Sequence, residues 1–275
     1  MQIHILNDNG QPKGYKQLLN EYLKQKLDGE SLLLMTHCVV GYPSLDANWR
    51  MLACMQKAGV SLVELQLPFS EPIADGPVFV KANQAALKQG LRWHEYFDFM
   101  AKAAREFDIP LLFMGYYNSV FCMGQDNFCE RLKTAGAHGY IIADLPPEEA
   151  TELDNHAQSQ GLDPIHLMTP TNTDARLKDI ARNASGFIYC VARKGVTGSK
   201  TELDAGISRY IERCRAVTQL PVALGFGIKT PEDISILKGH VDIAIIGTAC
   251  LEAWEHGGEG KYIQFLQSLH QATLA

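Results

Sequence analysis

The sequence lacks the features of a membrane-spanning or secreted protein. None of its apolar runs approaches the roughly 20 residues that a helix needs to cross a bilayer. The first residues, Met-Gln-Ile-His-Ile-Leu-Asn-Asp, do not have the basic-then-apolar order of a signal peptide. We therefore expect a cytoplasmic protein that makes no contact with membranes.

An excess of basic residues is also missing. The 275 residues include 25 Lys and Arg against 31 Asp and Glu, which gives a net charge of -6. Proteins that bind nucleic acid usually carry a basic surface, so nucleic acid is not an expected partner. Hydrophobic residues make up 46% of the chain, as in an ordinary globular protein with a sizeable core.

The seven cysteines and nine histidines show no metal-binding spacing, with neither Cys-x-x-Cys nor His-x-x-x-His present. We predict no metal site. An odd number of scattered cysteines, several of them in apolar segments, is typical of buried free thiols in a reducing compartment.

A dinucleotide-binding Gly-x-Gly-x-x-Gly does not follow the first apolar segment, and no Pro/Gly/Ser-rich linker divides the chain. What the chain has is eight apolar, Val/Ile/Leu-rich segments alternating with amphipathic ones. Continuous apolarity indicates parallel strands covered on both faces. The predicted strands are Leu32–Val40, Ser61–Leu67, Pro110–Gly115, Gly139–Ala143, Pro164–Met168, Gly186–Val191, Val222–Leu224 and Val241–Ile246.

Eight such units predict an α/β protein with a single (β/α)8 TIM barrel, with a doubly wound open sheet as the runner-up. We expect one domain over residues 1–275, with residues 1–13 as an N-terminal extension. The amphipathic segment Gly14–Leu27 predicts an additional helix that caps the bottom of the barrel. Other predicted helices are Asp46–Ala58, Val78–Gln89, Gln125–Ala135, Pro147–Gln160, Thr173–Asn183, Leu203–Thr218 and Pro231–Lys238.

Two carboxylates carry the best evidence for chemistry. Glu64 lies in the second apolar strand, and Asp75 lies in the loop that follows it. A carboxylate in an apolar strand is costly unless it is paired, hydrogen-bonded or protonated, so a fold that retains one either uses it or salt-bridges it in the core. In a barrel, active sites form at the carboxyl ends of the strands. Other polar residues predicted at this rim are Tyr116, Asn118, Asp144, Tyr189 and Thr197.

Three glycine-containing loops predict a phosphate site. Gly195-Val-Thr-Gly198, Gly225-Phe-Gly227 and Gly247-Thr248 follow strands 6, 7 and 8, where barrels commonly bind phosphate through backbone amides and a helix N-terminus. Thr248 is placed to cap a helix and to offer its hydroxyl to the same anion. The alternative is that these are ordinary turn glycines of a barrel.

The sequence resembles the alpha subunit of tryptophan synthase from about residue 15 to the C-terminus, with the family's motifs in order. The most specific stretch is Glu64-Leu-Gln-Leu-Pro-Phe-Ser-Glu-Pro-Ile-Ala-Asp-Gly-Pro77. It is supported by Val39-Val-Gly-Tyr-Pro43, Tyr116-Tyr-Asn118, Ala143-Asp-Leu-Pro146, Arg193-Lys-Gly-Val-Thr-Gly198, Gly225-Phe-Gly-Ile228 and Ile246-Gly-Thr-Ala249.

The resemblance implies a lyase of L-tryptophan biosynthesis that cleaves indole-3-glycerol phosphate to indole and glyceraldehyde 3-phosphate by a retro-aldol reaction. Indole would pass through a tunnel to a partner beta subunit, in a heterotetramer of two alpha and two beta chains. No cofactor is expected. A Schiff-base aldolase needs a desolvated lysine, and none of the eight apolar segments contains one.

The resemblance also implies roles for individual residues. Glu64 would act at indole C3 and at the side-chain hydroxyl, and Asp75 would accept or stabilise the indole N–H proton. Thr197 would meet Asp75 when loop 6 closes over loop 2, and Tyr189 would lie beside Glu64. The phosphate would be held by Gly198, Gly227, Gly247 and Thr248, and the indole pocket walled by Phe226, Leu167 and Met114.

Four residues depart from the family's usual pattern. Gln66 stands where glycine is usual, and its amide is expected to crowd the pocket. Glu71 replaces an aspartate near the expected partner surface. His37 and Val39 alter the first strand, with His37 expected to be a packed histidine rather than a new catalyst. These changes leave two alternatives open: a catalytically weak barrel that binds and activates a beta subunit, and a stand-alone lyase that releases free indole.

Overall fold

The computed structural model describes residues 18–192, 204–225 and 227–274. These ranges contain nine strand segments in one parallel sheet, in the order β5-β4-β3-β2-β1-β9-β8-β7-β6. The segments are β1 Leu33–Val39, β2 Leu62–Gln66, β3 Leu111–Gly115, β4 Gly139–Ile142, β5 Asp163–Ile165, β6 Leu167–Met168, β7 Ile188–Val191, β8 Val222–Gly225 and β9 Ile243–Ile246.

The sheet closes through an interrupted strand. β5 pairs with β4 and β6 pairs with β7, and only His166 separates the two segments. β5 and β6 therefore act as one interrupted strand of the barrel. The first and last strands meet where β1 pairs with β9. The result is the predicted (β/α)8 barrel rather than the doubly wound open sheet.

Helices cover the outside of the barrel. The described residues form α1 Leu19–Gly29, α2 Leu45–Lys57, α3 Pro77–Lys88, α4 Trp93–Glu106, α5 Tyr117–Met123, α6 Gln125–Thr134, α7 Pro147–Ser159, α8 Asp174–Asn183, α9 Ala205–Arg215, α10 Pro231–Leu237 and α11 Thr248–Leu274. Six of the predicted helices lie wholly within the described residues, and their bounds agree to about one residue. The predicted helices 14–27 and 203–218 begin outside the described residues, and their described parts overlap α1 and α9. α4 and α5 are additional, and α11 is kinked at Gly258. None of these helices has the length and apolarity required to cross a bilayer.

Local sequence explains where the helices begin and end. The Ser44 hydroxyl accepts a hydrogen bond from the Ala47 amide and so caps the start of α2. After the ends of α2 and α6, Gly59 and Gly136 take positive φ values of 82° and 77°, which glycine adopts without steric cost. The chain can therefore turn back toward the next strand.

The core has two layers. Residues that face the barrel interior, such as Leu33, Met35 and Leu62, form one cluster, and a larger cluster lies between the strands and the helices. Leu19 and Leu23 of α1 belong to the interior cluster, and the Tyr22 hydroxyl donates to the Ser61 carbonyl just before β2. α1 thus covers the end where the strands begin, which leaves the opposite end for a site.

Candidate active site

Glu64 projects into the barrel because of its register in β2. Leu62 lies in the interior cluster, whereas Val63 and Leu65 face the helices. Side chains alternate along a strand, so Glu64 and Gln66 share the inward face with Leu62. The Glu64 side chain is only 1% exposed. It is a buried carboxylate in the half of the barrel where the strands end.

The partners of Glu64 come from strands on either side of it. His37 is its register neighbour in β1, and the His37 Nδ1 lies 2.9 Å from Glu64 Oε1. The Tyr189 hydroxyl of β7 donates to the same oxygen over 3.4 Å. An imidazole and a phenol satisfy the buried carboxylate, and neither Lys nor Arg pairs with it among the described residues. The partner of the carboxylate is therefore a titratable imidazole and not a permanent cation.

Asp75 is held over the same end of the barrel by amide side chains. Its Oδ2 accepts a hydrogen bond of 2.7 Å from Gln66 Nε2 and a longer one of 3.3 Å from Asn83 Nδ2. Asn83, on α3, is itself fixed because its Nδ2 donates to the Phe79 carbonyl and its Oδ1 accepts from the Phe69 amide. Asp75 is therefore tied both to the barrel interior and to the first helix after its loop.

A tyrosine after β3 supports the loop that carries Asp75. The hydroxyl of buried Tyr116 accepts a hydrogen bond of 3.2 Å from the Ala74 amide. Its ring stacks on Phe69 with ring centroids 5.1 Å apart. The sequence predicted Tyr116 at the rim without a role, and in the structure it braces the loop that carries Asp75.

Two of the residues that the sequence analysis singled out as unusual, His37 and Gln66, connect the two carboxylates. The Gln66 amide that donates to Asp75 also places its Oε1 2.8 Å from His37 Nε2. A continuous hydrogen-bonded chain therefore runs from Glu64 through His37 and Gln66 to Asp75. We name these four residues the carboxylate bridge. His37 is packed against Phe79, as the sequence predicted, and it is also hydrogen-bonded through both ring nitrogens.

Burial and neighbouring charge shift the pKa values in this group in identifiable ways. Burial by itself lowers the pKa of His37, but the charge and hydrogen bond of Glu64 outweigh it, so the pKa is raised. Burial raises the pKa of Asp75, partly offset by the His37 charge and the Gln66 hydrogen bond. Loss of water around the Tyr189 hydroxyl, with the nearby Glu64 charge, raises its pKa well above the usual value.

Gly247, in one of the predicted glycine loops, lies beside the carboxylate bridge. A Cβ added to Gly247 would meet the Phe79 ring at 3.1 Å and the His37 Cβ at 3.9 Å. Gly227 has φ of 80° and nothing within 4 Å of its Cβ position, so the space there is open. Thr248 begins α11, whose N-terminus is the kind of backbone site that attracts anions.

The proposed indole walls have mixed environments. Met114 is the register neighbour of Gln66 in β3 and belongs to the interior cluster, and half-buried Leu167 of β6 packs against that cluster. Both therefore lie inside the barrel, but either one fits an ordinary core role as well. Thr197, Gly198 and Phe226, which the sequence also indicated, fall outside the described residues.

Two other rim residues contact α5. The Asp144 carboxylate accepts from the Tyr117 backbone amide at 2.7 Å and so holds the start of α5. Exposed Asn118 contacts Cys122 one turn later on the same helix. In the described ranges, no three His, Cys, Asp or Glu side chains come together as a possible metal site.

Sequence comparison finds a matching family for most of the chain. The family model described as "Tryptophan synthase alpha chain" matches residues 23–273. A tryptophan synthase alpha chain of Syntrophotalea carbinolica is 46% identical over 252 residues, which are 92% of this chain and 100% of the relative. The alpha chain of Desulforapulum autotrophicum is 44% identical over the same shares of each chain.

Solved structures share the fold. Tryptophan synthase subunit alpha from Legionella pneumophila is similar with a TM-score of 0.83 and 28% identity, covering 93% of this chain and 97% of that one. A chain from a study of mutual activation in the tryptophan synthase a2b2 complex of Pyrococcus furiosus has a TM-score of 0.81 and 27% identity. The similarity covers 87% of this chain and 98% of the Pyrococcus chain.

Proposed function

The chain belongs to the tryptophan synthase alpha chain family, and from that premise we propose that Glu64 and Asp75 are the catalytic carboxylates of its lyase reaction. The reaction cleaves indole-3-glycerol phosphate to indole and glyceraldehyde 3-phosphate in tryptophan biosynthesis. The observation that carries the assignment of residues is the joining of Glu64 and Asp75 by hydrogen bonds at the strand ends, beside Gly247.

The reaction needs acids and bases on two sides of the substrate. Breaking the bond between indole C3 and the glycerol carbon requires a proton at C3 and removal of the hydroxyl proton on that carbon. Glu64 delivers the first proton and takes the second, so it ends the cycle in its starting state. Asp75 accepts the ring N–H proton as positive charge develops on the indole and returns it when indole forms. No proton is gained or lost overall.

Substrate binding is assigned to residues around this pair. Tyr189, already hydrogen-bonded to Glu64, contacts the glycerol moiety. The backbone amides of Gly198, Gly227 and Gly247 and the Thr248 hydroxyl hold the phosphate, which the open space at Gly227 and the start of α11 support. The indole ring packs against Phe226, Leu167 and Met114, and Thr197 meets Asp75 when the substrate is enclosed.

The partner is a tryptophan synthase beta subunit, in a complex of two alpha and two beta chains. Exposed apolar side chains on the loops at the strand ends support a docking surface. Ile73, in the loop after β2, is 81% exposed, and Phe121 of α5 after β3 is 70% exposed. Glu71 lies on the same loop as Ile73. These side chains favour a subunit of a complex over a stand-alone lyase.

The remaining alternative is a catalytically weak barrel that serves to activate the beta subunit. It was suggested by Gln66 and His37. Because both side chains hydrogen-bond to the carboxylates instead of displacing them, the lyase is the better supported function. We further propose that residues 1–275 fold as one domain in the cytoplasm; a single cooperative unfolding transition would support the one-domain assignment.

The test is indole release from indole-3-glycerol phosphate by the purified chain, with and without a beta subunit. We expect turnover that rises when the beta subunit is added. Glu64→Gln should abolish it, whereas Glu130→Gln on an exposed part of α6 makes the same chemical change without effect. Negligible wild-type turnover together with normal activation of the beta subunit would instead establish the activator alternative.

A further inference from the structure

We propose that His37 and Gln66 are positioning residues that join Glu64 to Asp75 in one directed hydrogen-bond chain, with the His37–Glu64 pair storing the proton that Glu64 delivers. This inference rests on the proposed lyase function. The inference adds to the proposed function, because it assigns catalytic importance to His37 and Gln66, which differ from the residues expected from the family resemblance.

The direction of the chain follows from donor and acceptor chemistry. An ionised Asp75 carboxylate only accepts hydrogen bonds, so the Gln66 group 2.7 Å from it is the amide nitrogen. The amide oxygen then faces His37, and it too can only accept. His37 Nε2, 2.8 Å away, must therefore carry a hydrogen. Asp75 thus determines the orientation of Gln66, and Gln66 determines which nitrogen of His37 is protonated.

Donor and acceptor chemistry also fixes the number of protons at the Glu64 end of the bridge. His37 Nδ1 and Glu64 Oε1 are 2.9 Å apart, which requires one proton between them. Either a charged imidazolium donates to the carboxylate, or a carboxylic acid donates to a neutral imidazole. In both states the pair holds one transferable proton, and the two states differ only in which atom the proton is bonded to.

Packing keeps this pair in place. His37 is 9% exposed, and its ring lies against Phe79 of α3 with ring centroids 4.4 Å apart. The titratable groups that face it in the described part of the chain are Glu64 of β2 and Asp75 of the following loop, with Tyr189 of β7 beyond Glu64. All three favour a positive imidazole when ionised, and the α3 side contributes only an uncharged ring.

The stored proton fits the needs of the reaction. When Glu64 protonates indole C3, the Nδ1 proton of His37 either has already moved to Glu64 or moves with it, which leaves a neutral imidazole and a carboxylate. Removal of the substrate hydroxyl proton by Glu64 restores the pair. One proton leaves the pair and one returns. The chain also holds Asp75 at a fixed distance from Glu64, so that both ends of the indole system are engaged together.

The first test replaces His37 with glutamine, which places an amide nitrogen near the position of Nε2 but cannot store a proton. We expect kcat to fall on the order of 10- to 100-fold with little change in KM. The wild-type alkaline limb should follow loss of the stored proton, which the imidazole retains above its ordinary pKa of about 6.5. In His37→Gln, this limb should be lost from its wild-type position, because the imidazole that retains the proton is absent.

His166→Gln is the matched control, since His166 is equally buried and pairs with the Asp154 carboxylate on the helical side of the barrel. It should leave the pH profile of kcat unchanged. Gln66→Met, which keeps the length of the side chain but removes both hydrogen bonds, is the second variant and should also lower kcat. A His37→Gln enzyme with wild-type kcat and an unmoved alkaline limb would overturn the proposal.

A second measurement does not depend on turnover, so it separates failure of the bridge from failure of the lyase assignment. Nitrogen-15 NMR of the histidine rings, with His37 identified by its absence in His37→Gln, follows its protonation with pH. We expect a hydrogen on Nε2 throughout and a pKa above 6.5 that falls in Glu64→Gln. A neutral His37 protonated only on Nδ1, or one whose titration ignores Glu64→Gln, would refute the bridge even in an active enzyme.

Discussion

Two buried histidines in this molecule each contact a carboxylate, and they do so in different settings. His37 meets Glu64 at 2.9 Å inside the barrel, and His166 meets Asp154 at 2.8 Å between the barrel wall and α7. All four side chains are less than 10% exposed. Distance and burial alone therefore do not distinguish a catalytic pair from a structural one.

The difference lies in what each pair connects to. Asp154 receives a second hydrogen bond from Tyr140 of β4, so that group ends within the core. The His37–Glu64 pair continues through Gln66 to Asp75, in a half-buried loop at the end of the barrel that faces solvent. A buried polar chain that reaches an accessible carboxylate can exchange protons with a substrate, whereas one that ends in the core can only stabilise.

The largest expected effect on kcat comes from changing Asp75, at the solvent-facing end of the carboxylate bridge. Asp75→Asn removes the carboxylate that we propose as the acceptor of the indole N–H proton but keeps a side chain of the same size. We expect kcat for indole release to fall about 10²- to 10⁴-fold, in the range of lost general acid–base catalysis. Steady-state kinetics over a range of substrate concentrations measures this loss of kcat. A kcat within threefold of wild type would remove Asp75 from the mechanism.

Asp154→Leu tests the core-facing pair. Removing the carboxylate leaves the His166 ring and the Tyr140 hydroxyl without their buried partner, so the free energy of unfolding should fall by about 3 kcal/mol. Urea denaturation measures this loss. The kcat per folded molecule should stay at the wild-type value, and a catalytic defect in a fully folded sample would contradict the structural role.

The pH dependence of stability sharpens the difference from the His37 side. Glu64 raises the His37 pKa in the folded state, so the pair contributes its full stabilisation of the fold below pH about 6.5. This stabilisation is lost as the pH rises through the raised His37 pKa. The unfolding free energies of wild type and His37→Gln should therefore differ most at the acid end and converge at higher pH. Urea titrations at several pH values check this, and a difference that grows with pH would contradict it.

The smallest expected effect is that of Tyr140→Phe. It removes one hydroxyl that donates to Asp154 and leaves the ring, which packs on Phe128 with centroids 5.8 Å apart. We expect a loss of about 1 kcal/mol in unfolding free energy. Thermal or urea denaturation would detect it, and unchanged indole release provides the check that this region is remote from the chemistry.

The sequence predicted the barrel well because its strands are short, apolar and regularly spaced. The same continuous apolarity gave no information on which residues point into the barrel, since a strand buried on both sides shows no alternation of polar and apolar residues. The break at His166, inside the predicted strand 164–168, was missed for that reason. The short helix α5 has only seven residues, too few for a clear helical period.

The carboxylates of the site were accessible to sequence reasoning because they are unusual by residue type, one in an apolar strand and one in a glycine- and proline-rich loop. The connection between them was not. It depends on the β1–β2 register that sets His37 beside Glu64, and on Gln66 sharing the inward face of β2. The available signal was that positions 37, 64 and 66 are polar in largely apolar strands, and that 64 and 66 lie two residues apart.

The most direct test of this account compares kcat for indole release by Glu64→Gln and Asp154→Asn in the same assay, with the beta subunit present and both variants folded. Each change converts the carboxylate partner of a buried histidine into an amide. The account predicts that Glu64→Gln loses at least about 10²-fold in kcat, while Asp154→Asn stays within about twofold of wild type. Comparable kcat values for the two variants would contradict it.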